Sequence, residues 1–178
     1  MLQSDSIEIR PAAQRDAVCL GALATQVFLD TYATNGINSG LANEALQHYS
    51  PTAFEARLGN PQIEVAIAEH GGNLIGFVDL EVDSTCPVEE VSGPEVLRLY
   101  VQAPFQRRGV GQALLKHAEK RAKNIGAPCI WLTAWVGNAG ALAFYQRVGY
   151  KDVGITQYVI NGKGYENRVF VKTLAGAD

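Results

Sequence analysis

The sequence predicts an α/β fold: one domain over residues 1–178, built on a mixed, mostly antiparallel central sheet of six to seven strands with helices on both faces. Three observations lead there. Short β-rich runs first follow one another through a hairpin turn, and later runs are separated by helical stretches, which implies crossovers. The 178 residues are long enough for one buried core. Apolar residues make up 47% of the chain and charged residues 19%, the balance of a soluble globular protein.

The elements follow in order. Ser6 to Arg10 alternates as a short strand, and Ala12 to Phe28 carries apolar residues at helical spacing (Val18, Ala22, Val27). Asn43 to Tyr49 and Pro51 to Leu58 are short helices, the second opened by its proline. Glu64 to Glu69 and Leu74 to Val82 form a hairpin across His70-Gly-Gly-Asn73, and Glu95 to Val101 is a further alternating strand. A helix runs from Val110 to Asn124, with Val110, Leu114, Ala118 and Ala122 on one face, and Gly126 ends it. Cys129 to Val136 is a buried strand, and Ala139 to Arg147 is a helix capped by Asn138 and stopped by Gly149. Two last strands, Lys151 to Ile160 and Glu166 to Thr173, join through Asn161-Gly-Lys-Gly164.

Several classes of protein are disfavoured. The N-terminus carries acids and no long apolar run, unlike a secretory signal, and no segment approaches the ~20 apolar residues of a membrane helix. Cys19, Cys86 and Cys129 show neither metal-ligand spacing nor a disulfide framework, so a reducing, cytoplasmic setting without a metal is expected. His48, His70 and His117 have no partner at metal or triad spacing. The net charge of −3 conceals an asymmetry. Six acids (Asp79, Glu81, Asp83, Glu89, Glu90, Glu95) stand without a base, and seven bases (Arg98, Arg107, Arg108, Lys116, Lys120, Arg121, Lys123) then stand against Glu119 alone. Such blocks are either solvated surface or an anion-binding half beside a cation-tolerant half. No nucleic-acid or membrane partner is expected.

The densest chemistry lies between the Glu95 strand and the Val110 helix, in Gln106-Arg-Arg-Gly-Val-Gly111. Gly109 and Gly111 admit backbone amides to close range of an anion, and the helix directs its unpaired N–H groups at the same point. Arg107 and Arg108 add fork-shaped donors suited to phosphate. The third glycine of a dinucleotide fingerprint and the Gly-Lys-Ser/Thr of a P-loop are both missing.

Gln106 to Gly111, preceded by Leu99-Tyr-Val101, resembles the acyl-CoA pyrophosphate motif of the GNAT superfamily of N-acetyltransferases. Asn138-Ala-Gly-Ala-Leu-Ala-Phe-Tyr145-Gln-Arg-Val-Gly-Tyr150 is similar to that family's second motif, and the two stand in the family's order. The resemblance covers about Glu95 to Thr173; the N-terminal half matches in the order of its elements. It implies acetyl-CoA as co-substrate, contacted by Leu99, Tyr100, Val101, Gln106, Arg107, Arg108, Gly109, Val110, Gly111, Asn138 and Tyr145. It also implies that the strand at Leu97–Val101 splays from Cys129–Val136, with the pantetheine arm in the gap; a β-bulge is the usual way to open such a wedge. Asn138 then serves as a helix cap, a pantetheine contact, or both. Homodimers are common in the family.

Acetyl transfer to an amine needs a base, because an amine with a pKa of ~10.4 is almost wholly protonated at pH 7 and freeing it costs about 4–5 kcal/mol. It also needs an acid for the departing thiolate. The resemblance assigns the acid to Tyr145, a protonated phenol at neutral pH, against a reading as a core aromatic. It assigns the base to Glu95, against a reading as an exposed strand-end acid. Asp79 and Glu81 share a strand face and either bind a second cationic group or do nothing. The segment Val27-Phe-Leu-Asp-Thr-Tyr32 is similar to the spermidine/spermine N-acetyltransferase branch, and the acidic block would suit a polyamine or other small cationic amine. A protein N-terminal or lysine acetyltransferase and a non-catalytic acyl-CoA-binding module remain open beside it.

Overall fold

Residues 6–88 and 92–174 are described by the structure, a computed structural model. Its strands are β1 (Ile7–Pro11), β2 (Ile63–His70), β3 (Asn73–Thr85), β4 (Ser92–Val101), β5 (Cys129–Trp135), β6 (Lys151–Ile160) and β7 (Lys163–Thr173). The helices are α1 (Ala17–Tyr32), α2 (Ser39–His48), α3 (Pro51–Leu58), α4 (Val110–Asn124) and α5 (Ala139–Arg147). The sheet has seven strands in the order β1-β2-β3-β4-β5-β7-β6 and is mostly antiparallel, as the sequence predicts. The exception is β4 with β5, which are parallel because α4 carries the chain back between them.

Where element bounds differ from expectation, local hydrogen bonds explain it. The first helix opens at Ala17 rather than Ala12, because the Ala12 N–H donates to Val65 O at 2.8 Å and a 3-10 turn at Gln14–Asp16 intervenes. The second begins at Ser39, earlier than expected, because Asn38 caps it by accepting from the Leu41 N–H at 3.0 Å. Strand β7 begins at Lys163 because Asn161 and Gly162, both with positive φ, close a two-residue turn.

The described residues pack into two compact units: 6–79 with 98–117, and 80–88 and 92–97 with 118–174. Strands β3 and β4 and helix α4 each contribute to both. In the first unit, α3 packs Phe54 edge-on to Phe77 of β3, with 5.7 Å between ring centroids. A Cβ at Gly76, on the opposite face of β3, would lie 3.3 Å from Leu114 of α4, so helices cover both faces there. Arg10 ties β1 to β2 and to the 3-10 turn through Glu69 and Asp16, each at 2.8 Å.

In the second unit, β5 pairs with β7 from Cys129↔Thr173 to Trp135↔Asn167. Paired residues share a face, so Trp131, Thr133 and Trp135 stand with Val171, Val169 and Asn167, and Leu132 stands with Phe170 on the other. Cys86, Cys129, Trp131, Val169 and Val171 form one buried cluster on the first of these faces. The Tyr145 ring of α5 packs against Phe170 at 5.7 Å, and Lys172 reaches Glu119 of α4 at 2.9 Å on the second.

Candidate active site

Arg107 and Gly109 both take positive φ, 58° and 84°, with Arg108 between them, which curls successive amides toward one side as an anion nest. Helix α4 follows, its first bond running from the Ala113 N–H to Gly109 O at 2.9 Å, so the amides before Ala113 open onto the turn. Gln106, Arg107, Arg108 and Gly109 are exposed, whereas the Val110 side chain is buried and only its backbone faces the turn. A Cβ on Gly109 meets no protein atom within 4 Å, leaving room in front of the amides. Gln106 is turned inward: its Nε2 donates to Val101 O at 3.0 Å and braces the loop against the end of β4. Leu99 and Tyr100 are half-buried and Val101 is buried. The Tyr100 ring packs edge-on against Phe77 at 5.5 Å.

In the second unit, Glu95 is half-buried and accepts from the Ser84 hydroxyl at 3.2 Å. Its backbone is placed by Gly93, whose carbonyl accepts from the Trp131 indole at 3.2 Å. The parallel register is Glu95↔Trp131 and Val96↔Leu132, which puts the Glu95 side chain on the Trp131 face of the sheet. Tyr145 lies on the other face, 8% exposed, its ring against Phe144, Tyr150 and Phe170. Burial pushes its phenol well above the ordinary value, so it stays protonated. The two residues proposed as base and acid therefore stand on opposite faces of the same strands. Asn138 caps α5, its Oδ1 accepting from the Ala141 N–H at 3.1 Å, so capping uses the oxygen and not the nitrogen of its amide.

A family model described as acetyltransferase (GNAT) matches residues 28–150. The chain belongs to that family. Among relatives, it is 29% identical over 116 residues to the N-alpha-acetyltransferase RimI of Mycobacterium tuberculosis, covering 64% of this chain and 70% of that one. It is also 29% identical over 112 residues to the aminoalkylphosphonate N-acetyltransferase of Salmonella typhimurium, covering 63% and 72%. A solved structure of the PaiA N-acetyltransferase from Thermoplasma acidophilum, in complex with coenzyme A, shares the fold at a TM-score of 0.76 and 24% identity, over 94% of this chain and 99% of that one.

As a GNAT protein the chain is an acetyl-CoA-dependent acyltransferase. The similarity to the spermidine/spermine branch finds no support in these relatives, which are a RimI-type enzyme and an aminophosphonate enzyme. The acidic block also changes meaning. Asp79 is fully buried and paired with Arg98 at 2.8 Å and Arg57 at 3.3 Å, so its charge is spent inside the protein. Glu89 and Glu90 lie outside the described residues. Sequence reasoning missed Arg57, since one arginine near the end of a short helix carries no signal until its partner is known. It also missed Ser84, Thr133 and Asn167. Asn167 is buried beside Thr133 at 3.3 Å, on the same sheet face as Trp131 and so as Glu95. His48 pairs with Glu44 at 3.7 Å and His70 stacks near Phe105. Among the described residues, no group of three His, Cys, Asp or Glu is placed to hold a metal.

Proposed function

We propose that this acetyltransferase moves the acetyl group of acetyl-CoA to a primary amine by direct attack in a ternary complex. The observation that carries the reading is the placement of a half-buried carboxylate, Glu95, and a buried phenol, Tyr145, on opposite faces of one set of strands. The amine enters from the Glu95 face and gives its proton to that carboxylate, directly or through water. Its lone pair adds to the thioester carbonyl, the C–S bond breaks, and the sulfur leaves toward the Tyr145 hydroxyl, which donates to it. Burial raises the Tyr145 phenol above its ordinary range, so it meets the leaving sulfur in its protonated form. By the resemblance to the family, Leu99, Tyr100, Val101 and Asn138 are the residues read as contacts of the pantetheine arm. Gln106 to Gly111 hold the pyrophosphate, with Gln106 acting as the brace and the amides as the donors.

The acceptor is a small amine in this reading. A polyamine is the weaker choice, because Asp79 is withdrawn from any cation-attracting surface and the remaining described acids of the block are Glu81, Asp83 and Glu95. A protein α-amine is the second reading, favoured by the likeness to a RimI enzyme. Cys86 and Cys129 are buried together in one apolar cluster, and a reducing cytoplasmic setting is the reading that suits them. The edge strand β6, with Ile155 and Val159 exposed, supports a homodimer. The test is acetyl-CoA with a panel of small amines and N-terminal peptides, following free thiol. Thiol released above hydrolysis by at least one amine is expected; tight CoA binding without it on any member would reduce the protein to an acyl-CoA-binding module.

A further inference from the structure

The helix that carries Tyr145 is short, and its far end is fastened from outside. Helix α5 has 9 residues, fewer than the ~12–15 an isolated helix needs in water, so packing must fix it in place. Tyr145 stands in its last turn. There the Gly149 N–H donates to Gln146 O and the Tyr150 N–H to Tyr145 O, at 3.1 and 3.0 Å, and Gly149 takes a positive φ of 93°. This is a Schellman closure, and the Tyr145 and Tyr150 rings supply the contact that accompanies it, their centroids 6.0 Å apart. The carbonyl of Val148, at the bend of the closure, accepts from Lys172 Nζ of β7 at 3.0 Å. The same ammonium donates to Glu119 of α4 at 2.9 Å. Its stem lies against Gly149, where a Cβ would stand 3.7 Å from Lys172 Cε. Two residues earlier on the same face of β7, Phe170 packs on the Tyr145 ring at 5.7 Å. One strand therefore holds the Tyr145 ring through Phe170 and the end of its helix through Lys172. A cation is favoured at a helix C-terminus, and a pair sheltered from solvent is little screened; Lys172 and Glu119 are 26% and 13% exposed. A lysine present only to neutralise Glu119 has no need of the carbonyl. By donating to both, its ammonium couples α4 to the turn that bears Tyr145.

We propose that Lys172, oriented by Glu119, is a positioning residue for Tyr145: it anchors the Val148 carbonyl, and through the last turn of α5 it sets where the Tyr145 hydroxyl stands. The inference rests on the reading of Tyr145 as proton donor to the leaving sulfur. It adds a residue that acts through Tyr145 and not on the reactants. All of these groups belong to the second compact unit.

The experiment takes Lys172→Met and Lys172→Arg, each with Tyr145 and with Tyr145→Phe. Thiol release gives kcat with the best-used member of the amine and peptide panel, and calorimetry gives acetyl-CoA affinity. Lys172→Met keeps the stem and loses the donor. With Tyr145 in place it is expected to lower kcat by about tenfold while acetyl-CoA affinity stays within about twofold. Lys172→Arg, which keeps charge and donors, is expected to recover most of that loss. In the Tyr145→Phe background Lys172→Met is expected to change kcat by less than about twofold, because the group it positions is gone. No loss, a loss of equal size in both backgrounds, a loss matched in affinity, or an arginine variant no better than the methionine one overturns the proposal. Full turnover in Tyr145→Phe alone removes Tyr145 as the acid, and the proposal falls with it. Should Lys172→Met not fold, Glu119→Gln, which frees the ammonium from α4, is put through both backgrounds under the same criteria. If no panel member releases thiol, NMR of protein labelled at the tyrosine ring carbons decides, the Tyr145 signal being assigned by its absence from Tyr145→Phe. A signal displaced in Lys172→Met and restored in Lys172→Arg sustains the proposal; one unmoved, or moved alike by both, overturns it.

Discussion

Tyr145 and Asp16 show how single side chains acquire roles from their surroundings. Packed against Phe144, Tyr150 and Phe170, Tyr145 is kept neutral by burial, as the role of proton donor proposed for it requires. Tyr145→Phe preserves the ring packing and removes the donor. Its kcat is expected to fall by about 10²-fold while acetyl-CoA affinity changes little; equal turnover would remove Tyr145 as the acid. Asp16 accepts from Arg10 at 2.8 and 2.9 Å and from the Ala13 N–H at 2.7 Å. Arg10 foremost holds its carboxyl below the ordinary 3.8. A depressed folded-state pKa contributes stability that is full above the unfolded value and lost as pH falls through the folded one. Asp16→Asn should therefore lower the Tm by about 2–4 °C near pH 7. The gap should close as pH drops below 3.8. Thermal unfolding across pH decides it: a gap that persists in acid would assign the loss to packing and not to charge.

Among the elements, the beginning of β4 places Glu95, the proposed base. A Cβ on Gly93 would lie 2.5 Å from Cys129 O and 3.2 Å from its sulfur, so only glycine allows β4 and β5 to approach there. The Trp131 indole fastens the same residue, two positions before Glu95. Gly93→Ala is expected to cost about 1–3 kcal/mol by overpacking, seen as a lower Tm, and to reduce turnover by displacing Glu95. Wild-type turnover in a folded Gly93→Ala protein would mean that the register of β4 does not position the base. The sequence announced α3, α4, α5 and β6 with the bounds observed, because each is bracketed by local signals: Pro51, the Val110–Ala122 stripe with Gly126, Asn138 with Gly149, and Asn161-Gly162. The start of β4 was not legible. Gly93-Pro94 reads locally as a break, and it joins the strand only because Cys129 and Trp131 lie beside it.

At the scale of the molecule, the sheet ends in β6, whose exposed Ile155 and Val159 share a face two turns of the pleat apart. Long edge strands with exposed aliphatics are templates for pairing. Sedimentation of the wild type at tens of micromolar should show a dimer, and Ile155→Lys with Val159→Lys should shift it to monomer. A wild type that sediments as a monomer would end the dimer proposal. The sequence by itself determined the family and the donor. The nest from Gln106 to Gly111 and the segment from Asn138 to Tyr150 are local, so backbone freedom, helix capping and residue spacing carry them without reference to distant parts of the chain. What only the tertiary structure decided is where charge remains. Asp79 reads in the sequence as part of an acidic block, yet Arg57, far off in the chain, and Arg98 converge on it and reverse the local sign. Electrostatic balance depends on distances through space and on burial, and neither is written in the order of residues.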